Sequence, residues 1–506
     1  MINSVIKGKE DPIDIQIYDL EQAFDALWLD DCLNDLYDTL PEENRNDKIA
    51  LLYESSKTNL VAVNTGVGLT ERIDIPKIVQ QGGTWGPALC SNSVDKIGKK
   101  CRDRAEYYYK YKKTVRVLPL AMVDDLIGIS RCGIESIELN TFMNTQIELK
   151  KLRFHVPDEQ GKSKCHKMHV GSKHMVCPNL LVHGTSMQEV SEDKYLGDII
   201  SSDGKNSKNI SARLSKGLGI ITQILHMLDS VSLGEHYMEI AILFREALFI
   251  NGILTNAEVW YGFSDSEIQE FEDLDKHLLR KILQVPISTP EEALYLELGI
   301  LPIGVMIKAR RINYLHYLLT RDESEMLSQF FRTQWKMPCK GDWTETVKMN
   351  LEEFDIPCEF ENLKCKSQES FKRSVKVKAQ EYALHILTEK QEKHSKMDNL
   401  YYSEIKPQAY LTMENLNIEE IRNIFRWRTR MARFGENYKG GREFVMCPLC
   451  RKHFDNQNMS LDCEIMRSKM NIQCKMTDIY AETVTKETAK VLLQMMKLRE
   501  TLLEND

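Results

Sequence analysis

The sequence lacks a long apolar run and nowhere approaches the roughly 18 apolar residues that a membrane-spanning helix needs. Its first residues, MINSVIKGKEDPIDI, do not contain the apolar core of a secretory signal peptide. The chain also shows no internal repeat. These absences argue against a membrane protein, a secreted protein and a repeat array, so we expect an intracellular protein without a membrane partner.

A disulfide pattern is missing as well. The 13 cysteines are odd in number and scattered over 506 residues, which favours reduced thiols and one metal cluster over a disulfide framework. A chain of this length, with 42% hydrophobic and 28% charged residues, is typical of a globular protein with about two to four domains.

The chain has no overall basic charge, because its net charge is −8. This average conceals two blocks of opposite sign. Residues 1–80 contain 7 Lys and Arg against 16 Asp and Glu, a net charge of −9, whereas 96–175 contain 17 against 9, a net charge of +8. The basic block includes KIGKKCRDRAEYYYKYKK, where cations alternate with tyrosines. Such a stretch is typical of a surface that binds phosphates and stacks on bases, and equally of a solvated helix face.

Hydrophobic periodicity divides the chain into an α+β part and a mostly helical part. The alternation in IDIQIY (13–18) predicts a half-buried strand, and VRVLPLAMVDDLIGIS (115–130) predicts a hairpin with the Asp pair at its turn. A helix is predicted to begin near Pro87. From 207 to 335 the apolar positions recur every three to four residues, which predicts helices and no sheet.

Three carboxylates fall at the ends of the predicted strands. Asp19 follows IDIQIY directly, and Asp124 and Asp125 occupy the turn of the predicted hairpin. A buried carboxylate is costly unless a partner or a metal ion compensates its charge. If both elements belong to one sheet, the three side chains converge at its edge and offer the oxygen ligands that two Mg²⁺ ions prefer.

Five segments, in this order, resemble the motifs of reverse transcriptases from non-LTR (LINE-type) retrotransposons. They correspond to motifs A, B, C and D and to the segment that leads into the thumb: YDLEQAFDAL (18–27), QGGTWGP (81–87), MVDDL (122–126), KLRFHVPDEQGKSKCHKMHVG (151–171) and KYLGDIISSDG (194–204). The resemblance implies an RNA-directed DNA polymerase, a nucleotidyltransferase with two Mg²⁺ ions. Its partners would be an RNA template, a DNA primer or target, and deoxynucleotide triphosphates.

The resemblance also implies roles for single residues. Asp19 and Asp124 would hold the metal ions, with support from Asp125. Phe24 would be the steric gate that excludes a ribose 2′-hydroxyl, and it also fits a plain core position.

The remaining implied roles concern the nucleotide. The pocket over the nascent base pair would be shaped by Gln81, Gly82 and Pro87, although a glycine-rich stretch is also typical of an ordinary loop. Lys164 would act as a general acid toward the leaving pyrophosphate, with Lys162 and Lys167 as neighbouring alternatives.

The chain departs from the family pattern in three respects. Motif A begins at residue 18, which leaves no room for a fingers subdomain, and no nuclease fits after the last predicted helix. Motif B has Gly86 where the family prefers serine. We therefore expect a truncated enzyme, without fingers and nuclease, that polymerises poorly or not at all by itself.

A zinc segment is predicted near the C-terminus. CPLCRKHFDNQNMSLDC offers Cys447, Cys450, His453 and Cys463 as nitrogen and sulfur ligands, with Cys474 as an alternative to Cys463. The spacing also suits reduced cysteines in a loop.

The predicted fold is an α+β palm with an antiparallel sheet, followed by a mostly helical remainder. The predicted domains are a palm (1–200), a helical thumb or connection (201–335), a helical linker region (336–440), the zinc segment (441–475) and a C-terminal helix (476–506). An alternative function is a non-catalytic nucleic-acid-binding remnant that keeps the zinc segment. An element-encoded enzyme would act in the nucleus.

Overall fold

The chain divides into two compact units in this computed structural model. One is formed by Met1–Asn209 with Asp322–Cys339, and the other by Ile210–Arg321 with Lys340–Asp506. The structure describes residues 2–6, 10–56, 60–74, 79, 85–102, 109–158, 163–171, 178–260, 262–414, 416–438, 446–481 and 483–504.

All the strands in the part of the chain that the structure describes belong to the first unit. In chain order they are β1 (Ile13–Asp19), β2 (Leu60–Val61), β3 (Asn64–Thr65), β4 (Gly68–Leu69), β5 (Ile73–Asp74), β6 (Lys110–Tyr111), β7 (Val115–Arg116), β8 (Leu120–Met122), β9 (Asp125–Arg131), β10 (His166–Val170), β11 (Leu181–Val182), β12 (Thr185–Ser186), β13 (Gln188–Glu189), β14 (Glu192–Tyr195) and β15 (Asp198–Ser201).

The α-helices run through both units. In chain order they are α1 (Ile2–Ile6), α2 (Ala23–Ala26), α3 (Leu29–Tyr37), α4 (Arg45–Ser56), α5 (Gly86–Arg102), α6 (Ile134–Leu149), α7 (Ser207–Ser230), α8 (Tyr237–Phe244), α9 (Asn251–Ile253), α10 (Asp265–Leu283), α11 (Glu291–Leu298), α12 (Ile303–Thr320), α13 (Met326–Lys336), α14 (Trp343–Glu353), α15 (Phe360–Lys364), α16 (Gln368–Gln391), α17 (Ile418–Arg428), α18 (Gly435–Tyr438), α19 (Gln457–Leu461), α20 (Glu464–Lys469), α21 (Met476–Tyr480) and α22 (Lys486–Glu504). A π-helical turn, Arg245–Ile250, joins α8 to α9.

The main sheet has the strand order β13-β10-β1-β9-β8. The pairings among β10, β1, β9 and β8 are antiparallel, as predicted, but β13 pairs with β10 in parallel, so the sheet is mixed. Along the chain, the small hairpin of β11 and β12 separates β10 from β13. After this hairpin β13 runs in the same direction as β10. The first unit is therefore α+β, as the sequence predicts.

Both faces of β1 are buried, which differs from the predicted half-buried strand. Ile13, Ile15 and Ile17 point into one apolar cluster, together with residues of β9, β10 and the 109–117 hairpin. The opposite face carries polar side chains, and α6 covers it: Gln16 Nε2 donates to the Ser136 carbonyl at 2.9 Å. Alternating apolar and polar residues show that a strand has two different faces. They do not show whether a helix covers and buries the polar face.

The second unit is helical. Its α12 packs against α10, α14, α15 and α16. Within 207–335 the described residues form helices and no strand, which confirms the prediction for this span. The last helix of the span, α13, packs in the first unit, where Phe330 stacks on Tyr111 with 4.3 Å between ring centroids.

In the second unit the residues after α16 form a core of their own. Trp427 of α17, Phe434, Cys447, Cys463 and residues of α22 pack together. No disulfide joins any of the cysteines that the structure describes. Among the helices of the described ranges, none has both the length and the apolar character that crossing a bilayer requires.

Candidate active site and metal centre

The three aspartates meet at one end of the β1–β9 pair. Asp19, the last residue of β1, is directly opposite Asp125, the first residue of β9. Cross-strand partners project from the same face of a sheet, so these two carboxylates leave the same side. Asp124 precedes Asp125 in the turn, and its carbonyl accepts a hydrogen bond from the Leu20 N–H at 3.3 Å. The structure thus brings all three predicted aspartates to one sheet edge.

The turn that carries Asp124 is strained. It joins β8 to β9 through two residues, and Val123 has a φ of 60°. Glycine usually occupies such a position, and a β-branched residue in the left-handed region costs of order 1–3 kcal/mol. The partly buried Val123 side chain packs against the apolar cluster that contains residues of α3, α5 and α6. This packing holds the strained turn and fixes the direction in which Asp124 leaves it.

The site concentrates negative charge that is partly buried. Partial burial raises the pKa of Asp125, and the charges of Asp124 and Asp19 raise it further, whereas Lys164 opposes them. Lys164 Nζ lies 3.3 Å from Asp19 Oδ2. A single exposed lysine therefore neutralises part of an excess of negative charge, which is the condition that attracts divalent cations.

The carboxylates stand further apart than a closed metal cage requires. The described residues contain two groups in which the ligand atoms of three or more side chains all lie within 4.8 Å of one another, and the aspartates do not form such a group. Mg²⁺ is usually held by one or two carboxylates together with waters and substrate phosphates, so the donor set suits this ion without a closed cage.

The structure separates the three candidate lysines. Lys162 lies outside the described residues. Lys167 is buried in β10, and its Nζ donates to the Pro178 carbonyl at 2.7 Å. Lys164 alone of the two described lysines reaches Asp19. Its assignment as the general acid stays a prediction, with contact to the aspartates in its favour.

The predicted nucleotide pocket is described only in part. Gln81 and Gly82 lie outside the described residues. Pro87 is exposed in the first turn of α5. Phe24 in α2 is half-buried and packs against the same core as Val123, so it touches the core, and its role as a steric gate stays a prediction.

Sequence reasoning missed Cys165, which supports Asp19. The Asp19 N–H donates to Cys165 Sγ at 3.4 Å, and the thiol lies 3.7 Å from the Asp19 carbonyl oxygen. Burial raises the pKa of this thiol to about 11, so it stays protonated and can both donate and accept. Cys165 directly follows Lys164 in KSKCHK, and this position next to a predicted site residue could have indicated its role.

Replacement of Asp125 by asparagine is expected to raise the melting temperature at pH 7 in the absence of divalent cations. Because the folded-state pKa of Asp125 is raised, the folded chain binds the proton more tightly than the unfolded chain does. The stabilisation from protonation is complete below the unfolded pKa of about 3.9 and is lost as the pH rises through the folded pKa. Partial exposure limits the gain, and we expect about 2 °C.

Differential scanning calorimetry at pH 7 and pH 3 tests this expectation. The difference between wild type and Asp125→Asn should disappear at pH 3. Asp95→Asn, which changes an exposed carboxylate on α5, is the matched control. A lower melting temperature for Asp125→Asn at pH 7 would contradict the proposed repulsion.

A second site lies near the C-terminus. The ligand atoms of Cys447, Cys450, His453 and Cys463 all lie within 4.8 Å of one another. The Cys447 N–H donates to the His453 carbonyl at 2.7 Å, which closes the loop between them, and Cys463 is the N-cap of α20. The structure thus brings the four predicted ligands together.

The donor atoms of this group suit zinc. His453 Nδ1 lies 3.0 Å from the Phe454 carbonyl oxygen, while its Nε2 is buried and has no hydrogen-bond partner. A hydrogen bond from Nδ1 leaves Nε2 as the ligand atom. Burial would raise the pKa of Cys450, but hydrogen bonds from the Lys452 backbone, Cys447 and Cys463 outweigh it and lower that pKa. The alternative ligand Cys474 does not belong to the group. Zinc itself stays a prediction.

Comparison with known proteins gives a likeness to solved structures only. No family model and no curated protein matches the chain. Among solved structures, telomerase from Candida albicans in complex with a TWJ fragment of telomeric RNA matches with a TM-score of 0.26 and 11% identity, over 54% of this chain. The chain spans 46% of the length of that telomerase chain. A likeness at this TM-score carries no argument about function.

Proposed function

We propose that this chain is a reverse transcriptase of the non-LTR retrotransposon type, an RNA-directed DNA polymerase that uses two Mg²⁺ ions. The observation that carries the proposal is the meeting of Asp19 and Asp125 across the β1–β9 pair, with Asp124 at the adjoining turn. The first unit would be the palm, and the helices after 209 would be the thumb and connection. The partners would be an RNA template, a DNA primer or target, and deoxynucleotide triphosphates.

Each side chain of the site has a distinct task in this proposal. Asp19 and Asp124 would hold the Mg²⁺ ions, which supply activation of the primer 3′-hydroxyl and charge stabilisation of the pyrophosphate. Asp125 would support these two ligands by adding negative charge next to the ions. Lys164 Nζ lies 3.3 Å from Asp19 Oδ2. From this position beside the aspartates the ammonium would donate its proton to the leaving pyrophosphate as a general acid.

The cysteine–histidine group would hold one zinc ion in a closed tetrahedral site. Four protein ligands with no open position are typical of a structural zinc, not a catalytic one. The proposed task of this centre is to hold the segment 446–470 in a fixed shape beside a nucleic acid.

Single-turnover nucleotide incorporation tests the polymerase proposal. The full chain, in excess over a DNA primer annealed to RNA, is mixed with one deoxynucleotide triphosphate and Mg²⁺. We expect slow but measurable extension of the primer by one nucleotide. Asp124→Asn should reduce the rate at least about 1,000-fold, because it removes a metal ligand that stabilises the transition state by several kcal/mol.

Asp95→Asn is the control and should extend the primer like the wild type. Binding of Mn²⁺, measured by electron paramagnetic resonance with primer, template and nucleotide present, gives a second readout. Two ions are expected for the wild type, and fewer for Asp124→Asn. If the wild type neither extends the primer nor binds two ions, the polymerase proposal is wrong. The non-catalytic nucleic-acid-binding function would then be tested by salt-dependent RNA binding.

A further inference from the structure

A third group of potential metal ligands lies at the other end of β1. The ligand atoms of Asp14, Cys132 and His169 all lie within 4.8 Å of one another. Asp14 is five residues before Asp19, which corresponds to roughly 17 Å along a strand. The group is therefore separate from the aspartates of the proposed active site, and it lies in a different unit from the C-terminal cysteines.

The strand register explains how these three residues meet. Asp14 pairs with His169 on β10 and with Ser130 on β9. Cys132 lies two residues after Ser130, and the Cys132 N–H donates to the Pro12 carbonyl at 3.3 Å, which continues the pairing past the end of β9. Residues two apart on a strand share a face, so the thiol falls on the same side as the carboxylate and the imidazole.

The carboxylate of Asp14 is satisfied by the protein on one side only. The residue is fully buried, with 0% exposure. Its Oδ1 lies 2.8 Å from His169 Nδ1, and the Cys132 thiol also hydrogen-bonds to this carboxylate, but Oδ2 is buried and has no hydrogen-bond partner. The next residues of the same polar face do find partners on α6: Gln16 donates to Ser136, and the Tyr18 hydroxyl accepts from Asn140 at 3.0 Å. A buried carboxylate with an unused oxygen calls for a cation.

We propose that Asp14, Cys132 and His169 bind a zinc-type divalent cation that joins β1, β10 and the end of β9. A thiolate, an imidazole and a carboxylate are ligands of zinc, whereas Mg²⁺ and Ca²⁺ take oxygen ligands. Tetrahedral zinc with bonds of about 2.0–2.3 Å places ligand atoms roughly 3.3–3.6 Å apart. The present 2.8 Å between His169 and Asp14 would open by about half an ångström as the ion replaces the shared proton.

The group reaches solvent through two of its three members. Asp14 is fully buried, whereas Cys132 is half-buried and the His169 side chain is 12% exposed. Three protein ligands would need a water as the fourth ligand to complete a tetrahedron.

The same three residue types also occur in nucleophilic cysteine sites. In such a site a base pairs with the thiol and the carboxylate orients that base from its far side. Here the ligand atoms of Asp14, Cys132 and His169 all lie within 4.8 Å of one another, which is the arrangement of ligands around one ion. A bound cation would deprotonate this thiol outright and release its proton.

Zinc content per chain, measured by mass spectrometry on the purified full-length protein, tests the proposal. Cys132→Ser should hold one zinc equivalent less than the wild type. Cys358→Ser, which changes an exposed cysteine outside both groups, should hold as much as the wild type. Equal zinc in Cys132→Ser and Cys358→Ser would overturn the proposal. The test measures the difference in zinc content between wild type and variant. Its outcome therefore does not depend on whether the C-terminal centre binds zinc or whether the polymerase proposal is correct.

A second measurement guards against misfolding of the serine variant. In the Cys450→Ser/Cys463→Ser background, Co²⁺ should give the charge-transfer absorption of a single thiolate and bound imidazole. Asp14→Asn in the same background should weaken Co²⁺ binding, because it removes the carboxylate ligand. Absence of thiolate absorption in a chain that melts cooperatively would refute the site.

Discussion

Removal of zinc is expected to unfold the segment around Cys447, Cys450, His453 and Cys463. Two of these thiols, Cys447 and Cys463, are part of the apolar core that holds α17 and α22 together. Zinc binding to small finger-like segments has an apparent free energy of about 10–16 kcal/mol at pH 7, and in such segments this binding free energy is also folding free energy. Without the ion, a second thiolate in the group would be repelled by the first, so the four side chains lose the charge compensation that holds them together.

Hydrogen exchange measured by mass spectrometry, with and without a strong chelator, tests this expectation. Peptides from 446–470 should lose protection on chelation and in Cys450→Ser/Cys463→Ser. Cys474→Ser is the matched control, because that half-buried cysteine lies outside the ligand group. Its exchange should follow the wild type in both conditions. Unchanged protection after complete removal of zinc would show that the segment folds without metal.

Replacement of Glu297 by alanine is expected to destabilise the second unit by about 3–5 kcal/mol. The Glu297 carboxylate has 0% exposure, and both its oxygens lie 3.0 Å from Arg428 Nε. It also accepts from the Tyr402 hydroxyl, and from that of Tyr410 at 2.6 Å. The alanine variant would leave a buried guanidinium without its counterion and two buried hydroxyls without an acceptor.

Native-state hydrogen exchange at α11 and α17 measures this loss of stability. Glu404→Ala, which removes an exposed partner of Lys406, should change stability by less than about 0.5 kcal/mol. Glu297→Met/Arg428→Met should cost less than Glu297→Ala, because no unpaired charge remains. A double variant that is less stable than the single one would mean that packing, not charge compensation, determines the effect.

Local features of the structure were predictable from the sequence. The strand before Asp19, the hairpin turn at Asp124 and the C-terminal ligand group all depend on spacings of a few residues, and hydrophobic alternation or a Cys-x₂-Cys pattern shows them directly. The helical character of 207–335 follows from periodicity in the same way.

The features that sequence did not predict all join distant parts of the chain. The Tyr18 hydroxyl accepts from Asn140, 122 residues away, and His169 meets Asp14 over 155 residues. No local pattern specifies which helix covers the polar face of β1, or that α13 packs in the first unit. The support of Asp19 by Cys165 depends on the same long-range pairing of β1 with β10. Hydrophobic periodicity predicts a helix or a strand, but it does not predict which other element packs against it.

The polar face of β1 has a consequence for how the chain folds correctly. A shift of β1 by one residue against its neighbours would exchange its two faces. Gln16 and Tyr18 would then enter the apolar cluster without partners, at about 1–3 kcal/mol for each unsatisfied group. The same shift would turn Asp19 away from Asp125. The alignment that satisfies the buried polar side chains is thus also the one that assembles the aspartates, so misaligned molecules are both unstable and without the site.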